Sequence, residues 1–272
     1  MYQTIHPYWL RPWLRVAAAW LFFATALPGQ DAIQPPEMPL LFSNTAYTLP
    51  VRKGGFSLLH TSRYAVGKRL ELGFHPFLMF LSPDIEFKWK QMETERFTLS
   101  SFHSINYASP LLRTVRMEGA GGFVSPEFDI PHLFAFQNGV MVSKVLRNRH
   151  YFTGKALFEF ALRSKAPDEQ STIDLPVVYP RSAVYYKGYG FITGVSVEGR
   201  LCKRFSYLFA TDAYFFPRGG LQFFSEQQLG LVWRTGKKFV LMGGGELTYG
   251  EYPYGPQWHL FPVLDFRWFL RI

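Results

Sequence analysis

Two histidine–hydroxyl pairs are the residues whose types and spacing come nearest to catalytic chemistry. In His60-Thr61-Ser62 the imidazole and the hydroxyl stand two apart, so on an extended strand both project from one face. A lipid-facing pair of that kind lets the imidazole take the hydroxyl proton, which is what a membrane-embedded lipid hydrolase requires. His103-Ser104 with Asn106 is a looser version. Arg63 stands where an orienting Asn would follow Ser62, and seven histidines among many strand serines produce such spacings by accident. His60 and Ser62 are therefore weak catalytic candidates, and His60 is expected to be a polar residue near an interface.

Other chemistries have less to work with. The histidines at 6, 60, 75, 103, 132, 150 and 259 lack ligand spacing and Cys202 is the one cysteine, so no metal site, cofactor or disulfide is expected. Gly243-Gly244-Gly245 lacks the Lys-Ser/Thr of a phosphate loop and lies in a strand pattern, where glycine permits bending or close backbone approach. No motif combining basic and stacking residues supports a nucleic-acid partner.

The charged residues form a second set. Glu71, Asp84, Glu86, Lys88, Lys90, Lys155, Glu159, Arg163, Glu198, Arg200, Asp212, Glu246, Asp265, Arg267 and Arg271 fall on the polar faces of alternating segments. Their signs nearly balance. Inside a narrow barrel such charges should pair across the lumen, because unpaired buried charge is costly. An anion-selective pore would keep its cations unneutralised, so position weakens the channel that a net charge of +9 suggests.

The elements that must carry these residues are strands. Leu264, Phe266, Trp268, Leu270 and Ile272 alternate with Val263, Asp265, Arg267, Phe269 and Arg271. Ile85, Phe87 and Trp89 alternate with Asp84, Glu86, Lys88 and Lys90 in the same way. Period two with bulky aromatics on the apolar face, in segments of ten or more residues, is the pattern of a transmembrane barrel. Aromatic residues make up 18% of the chain, 28 of them Phe, which suits a lipid-facing surface better than a soluble core.

Turn signals place strands at 42–51, 55–63, 69–80, 83–91, 96–107, 132–145, 151–163, 186–200, 204–216, 220–233, 238–250 and 257–272. That is an up-and-down antiparallel barrel of about twelve strands, with ten as the alternative. With twelve, the long loops 108–131 and 164–185 both fall on the outer side, together with a short connection at 51–54. The periplasmic turns are then short. They collect Arg63, Lys68, Arg69, Arg147, Arg149, Lys203, Arg204, Arg234, Lys237 and Lys238 into a basic rim that can meet anionic headgroups. Both long loops contain apolar residues and are expected to pack across the mouth or on each other.

Residues 1–30 have the order of a cleaved secretory signal: Arg11 and Arg15, the apolar run Val16 to Leu27, then small residues. That run is too short to span a bilayer, no acylatable cysteine follows, and no later segment holds 18 uninterrupted apolar residues. Residues 31–272 are then a single barrel domain, exported across the inner membrane to the outer membrane of a Gram-negative bacterium.

At Ala46-Tyr47-Thr48-Leu49-Pro50, at Asp174 to Arg181 and at Tyr252 to His259, the chain resembles uncharacterised bacterial outer-membrane barrel proteins. The resemblance implies a barrel and brings no established activity. The last strand also resembles the C-terminal signal read by the barrel assembly machinery, although Ile272 stands where Phe or Trp is usual. The sequence thus indicates a structural or binding barrel, or a narrow channel for a small solute, with outer-membrane lipid and the assembly machinery as partners. A membrane-embedded lipid hydrolase and a secreted soluble β-protein are the alternatives.

Overall fold

The computed structural model describes residues 45–146, 150–236, 238–253 and 255–271. The expected signal segment and strand residues 42–44 lie outside them. The described chain forms a closed barrel of twelve antiparallel strands, each paired with its sequence neighbours, and the first pairs with the last. The strands are β1 (Lys53–Ser57), β2 (Ser62–Ala65), β3 (Leu70–Phe74), β4 (Asp84–Glu93), β5 (Thr98–Tyr107), β6 (Leu133–Leu146), β7 (His150–Arg163), β8 (Tyr189–Arg200), β9 (Phe205–Phe216), β10 (Gln222–Arg234), β11 (Phe239–Tyr252) and β12 (Gly255–Arg271). Two helices lie in the long connections: α1 (Ser109–Thr114) and α2 (Val178–Lys187).

Alternation decides which way each side chain points. On β8, Ile192, Ser196 and Glu198 are buried while Tyr189, Phe191 and Val195 are exposed. The same period places Leu260, Leu264 and Trp268 outside on β12 and Asp265 and Arg267 inside. The exposed outer surface is apolar, as a lipid-facing wall must be. Aromatic rings gather at both rims: Phe205 stacks on Trp233 and Phe239 on Trp268 at one, Tyr107 on Phe134 and Tyr249 against Trp258 at the other.

The registers fix the stagger. Paired residues lead from Lys88 through Phe102, Gly139, Leu157, Ile192, Tyr214, Phe224 and Gly250 to Gln257. From the preceding residue, Phe87, the opposite path through Leu72, Tyr64 and Gly54 ends at Leu270. The first path would bring Phe87 to Pro256, so closure shifts the strands by 270 − 256 = 14 residues. Over twelve strands such a shear tilts them by about 40°.

The wall is not of even height. β6 to β12 have 12 to 17 residues, whereas β1, β2 and β3 have 5, 4 and 5. At the tilt above, five residues climb roughly 13 Å, about half of the ~25 Å apolar band of an outer-membrane barrel.

Two sequence expectations are corrected here. Of the strand expected at 42–51, the described residues 45–50 form no strand and run inside the lumen; the segment expected at 55–63 instead supplies both β1 and the start of β2. Its reversal carries neither Gly nor Pro, which is why alternation was read straight through Leu58-Leu59-His60-Thr61. Ser57 and Ser62 close the reversal: Ser62 Oγ accepts from Ser57 N at 2.9 Å and donates to Ser57 O at 3.1 Å. The bend at 51–54, expected outside, accordingly lies at the opposite rim, because Lys53 pairs with Arg271. The strand expected at 69–80 ends at Phe74, and 75–83 make tight turns.

Candidate functional site: the occupied lumen

The lower lumen holds a compact ionic cluster. Glu71 and Lys88 face each other directly across β3 and β4, and Lys88 Nζ lies 2.9 Å from Glu71 Oε1. Arg63 on β2 places Nη1 3.2 Å from the same oxygen and Nη2 2.5 Å from Glu86 Oε2. Arg63, Glu71 and Lys88 are all buried. Between Arg63 and Glu86 stands Gly73, paired with both. A Cβ there would lie 3.0 Å from Glu86 Oε2 and 2.9 Å from Thr61, so the missing side chain lets the guanidinium cross an intervening strand.

The same device recurs across the barrel. Lys155 and Asp212 are separated by Gly194, which pairs with both, and their ion pair closes over it at 2.8 Å. A side chain at Gly194 would occupy the space of the Asp212 carboxylate. Glu198, also buried, is held in the field of Arg267 and Lys88, which joins β8 to the cluster through space.

Residues 45–49 are pinned into this end of the lumen through their backbone. Leu49 N donates to Glu71 Oε2 at 2.7 Å, Lys88 Nζ donates to Thr45 O at 3.2 Å, and Ala46 N donates to Ser143 Oγ at 2.7 Å. Ser100 Oγ donates to Ala46 O. A non-strand backbone inside a barrel must find such partners, since unsatisfied peptide groups there are costly.

The outer lumen is filled by α2, folded in from the loop after β7. Its Tyr179, Ala183, Val184 and Tyr185 are buried in one apolar cluster with Leu157, Ile192, Phe216, Phe224 and Tyr252 from the inner wall. The Tyr179 ring lies 5.5 Å from Phe224 and 5.8 Å from Tyr252, while Tyr185 OH donates to Asn106 Oδ1 at 2.6 Å. The helix thus reaches from β5 to β11. Arg163 Nη1 donates to the carbonyls of Tyr185 and Tyr186, satisfying the helix C-terminus, and Gly188 at φ 91° ends it. Arg181 Nη2 bonds Glu226 Oε2 at 2.8 Å, and Tyr214 OH donates to the same oxygen. Leu112, Val124 and Ile130 of the other long loop join this cluster above it.

The charged set from the sequence separates into distinct groups. Glu71, Glu86 and Lys88 meet in the cluster with Arg63, and Asp265 pairs with Arg267 at 3.3 Å. Glu159 accepts from Gln137, and Lys90 pairs with Glu93 near a rim. Arg163 serves α2, while Asp84, Arg200 and Glu246 are half-buried on inward faces. The side chain of Arg271 lies outside the described residues, as do Arg147, Arg149 and Lys237 of the expected rim. Arg63 was assigned to that rim and is instead inside, because the turn at 58–61 shortens its strand. Arg181 and Glu226 were not singled out: Ser225 and Gln227 flank Glu226 and hide its period, and Arg181 belongs to a loop.

The histidine pairs do not assemble as a lipid-facing site. His60 sits in the turn with Nδ1 3.5 Å from Asp265 Oδ2, while the Ser62 hydroxyl is buried in its bonds to Ser57. His103 faces outward and bonds Asn138, and Ser104 and Asn106 face inward. Among the described residues no group of three metal-ligating side chains occurs.

No protein-family model matches the chain, and no curated protein matches it. Solved structures of similar shape include outer-membrane OmpT of Vibrio cholerae, at 6% identity and a TM-score of 0.43 over 77% of this chain and 64% of that one. Another is the outer membrane channel DcaP of Acinetobacter baumannii, at 8% identity and a TM-score of 0.35, covering 89% of this chain and 69% of that one.

Proposed function

We propose that the protein is an outer-membrane barrel closed along its axis, a binding or structural barrel and not an open pore. The observation that carries this reading is the double occupancy of the lumen by the chain itself, α2 from one side and residues 45–49 from the other. The exposed apolar wall and the aromatic rims support placement in a membrane, and α2 packs across the outer part of the interior against residues of the inner wall. The interior ion pairs of Glu71 with Arg63 and Lys88, Lys155 with Asp212 and Arg181 with Glu226 give an ion little reason to enter.

Planar-bilayer recording of the purified protein tests this. Wild type is expected to give no steady single-channel steps, and a variant that lacks both plugs, with 174–187 replaced by a short Gly-Ser linker and 45–49 deleted, is expected to give them. Regular steps from the wild type would overturn the reading.

A further inference from the structure

Among the described residues, the short wall leaves an opening in the side of the barrel. β12 pairs with β1 only at Arg267–Arg271, with one more bond from Leu58 N to Phe266 O. Among the described residues, Gly255 to Asp265 have no strand partner on that side. The gap is bounded below by the β1–β2 turn and on the far side by the 75–83 turns, which His75 ties to Leu59 O at 2.9 Å.

The free edge is not built to accept another strand. Phe266 O points towards β1, and polar groups of successive residues alternate in direction, so the even-numbered residues of β12 present their backbone to the gap. Pro256 and Pro262 share that parity, and each removes a donor from this edge. Proline on an edge is a device against strand addition.

The flanks are apolar and continuous with the outer belt. Trp258, Leu260 and Leu264 on β12, Leu58 and Leu59 on the turn, and Phe77 and Phe80 beyond it are all exposed, Phe80 at 88%. Behind the gap the inner wall is open as well. On the inward faces of β10 and β11, Gln228 and Glu246 are half-exposed and Gly244 is exposed, whereas inward residues above and below them are buried.

We propose that this gap is a lateral portal through which one acyl chain of a membrane phospholipid enters the lumen beside β10–β12. The solvent against the gap at this height is hydrocarbon, the flanks match it, and the edge prolines disfavour a protein strand. With the axis closed as proposed above, the side is the route left to the recess, and the portal itself rests on the gap and its apolar flanks.

The test uses the full-length protein carrying Cys202→Ser and one new cysteine, labelled with bimane and reconstituted in phosphatidylcholine vesicles brominated at mid-chain. Label at Gln228→Cys is expected to be quenched relative to unbrominated vesicles, approaching the outward-facing Leu229→Cys. Label at Gln137→Cys, inward on the far wall, is expected to keep its emission. Glu246→Cys is a second reporter should Gln228→Cys not fold. Quenching of the inward β10–β11 label by aqueous iodide alone, or no more quenching by brominated lipid than at Gln137→Cys, would overturn the portal. Bilayer conductance reads the axial closure separately, so either idea can fail without the other.

Discussion

The two ends of the lumen are closed by opposite chemistry. The outer half is an apolar core in which α2 lies against Phe216, Phe224 and Tyr252, as a helix packs in a soluble domain. The inner half is a polar mesh in which Arg63, Glu71, Glu86 and Lys88 bind one another and the backbone of residues 45–49. The difference shows two solutions to one problem. A helix satisfies its own peptide groups and can be sealed with hydrocarbon, whereas an extended segment needs partners from the wall, and charged side chains supply them strongly.

The sharpest way to break the comparison is to remove the centre of the mesh. Glu71→Ala leaves Lys88 and Arg63 buried with reduced compensation and is expected to cost about 3–5 kcal/mol. Urea unfolding from lipid vesicles measures it, and protease susceptibility at 45–49 should rise with it. A loss below ~1 kcal/mol would mean that the mesh is far better solvated than its burial indicates.

In the apolar half, Phe224→Ala removes the ring shared by Tyr179, Phe216 and Tyr252 and is expected to cost about 3 kcal/mol by leaving a cavity. Here the protease-sensitive segment should be 164–188, with 45–49 unaffected. Equal sensitivity of both segments would mean that the two plugs are one cooperative unit.

The smallest effect belongs to the pair outside both plugs. Lys155 and Asp212 are about one-fifth exposed, so Lys155→Met is expected to cost roughly 1 kcal/mol, read by the same unfolding curve. Gly194→Ala should be worse than Lys155→Met, since a methyl group would collide with the Asp212 carboxylate, and the reverse order would count against the glycine crossing.

Much of the wall was legible in the chain itself. From β4 onward, the expected strands match the observed ones to within a few residues, because alternation over ten or more residues is a strong local signal. The inward charges on β3, β4, β7, β8 and β12 were legible for the same reason. The region 42–80 was not: its strands have four or five residues, too few for a period to stand out, and its first turn uses Leu, Leu, His and Thr. The ion pair of Arg63 with Glu86 could have been suspected from no motif, since it depends on Gly73 standing between them in two registers at once.

What the sequence alone determined is an antiparallel barrel of about twelve strands, the position of those from β4 onward, the faces they turn to the membrane and to the lumen, and two long loops on one side. These follow from periodicity and turn chemistry, which are local. Tertiary structure decided what fills the barrel and where its wall is low. The inward folding of α2, the lodging of residues 45–49 and the free upper edge of β12 each depend on registers summed around the closed sheet. A shift of 14 residues is a property of closure, and no single segment contains it.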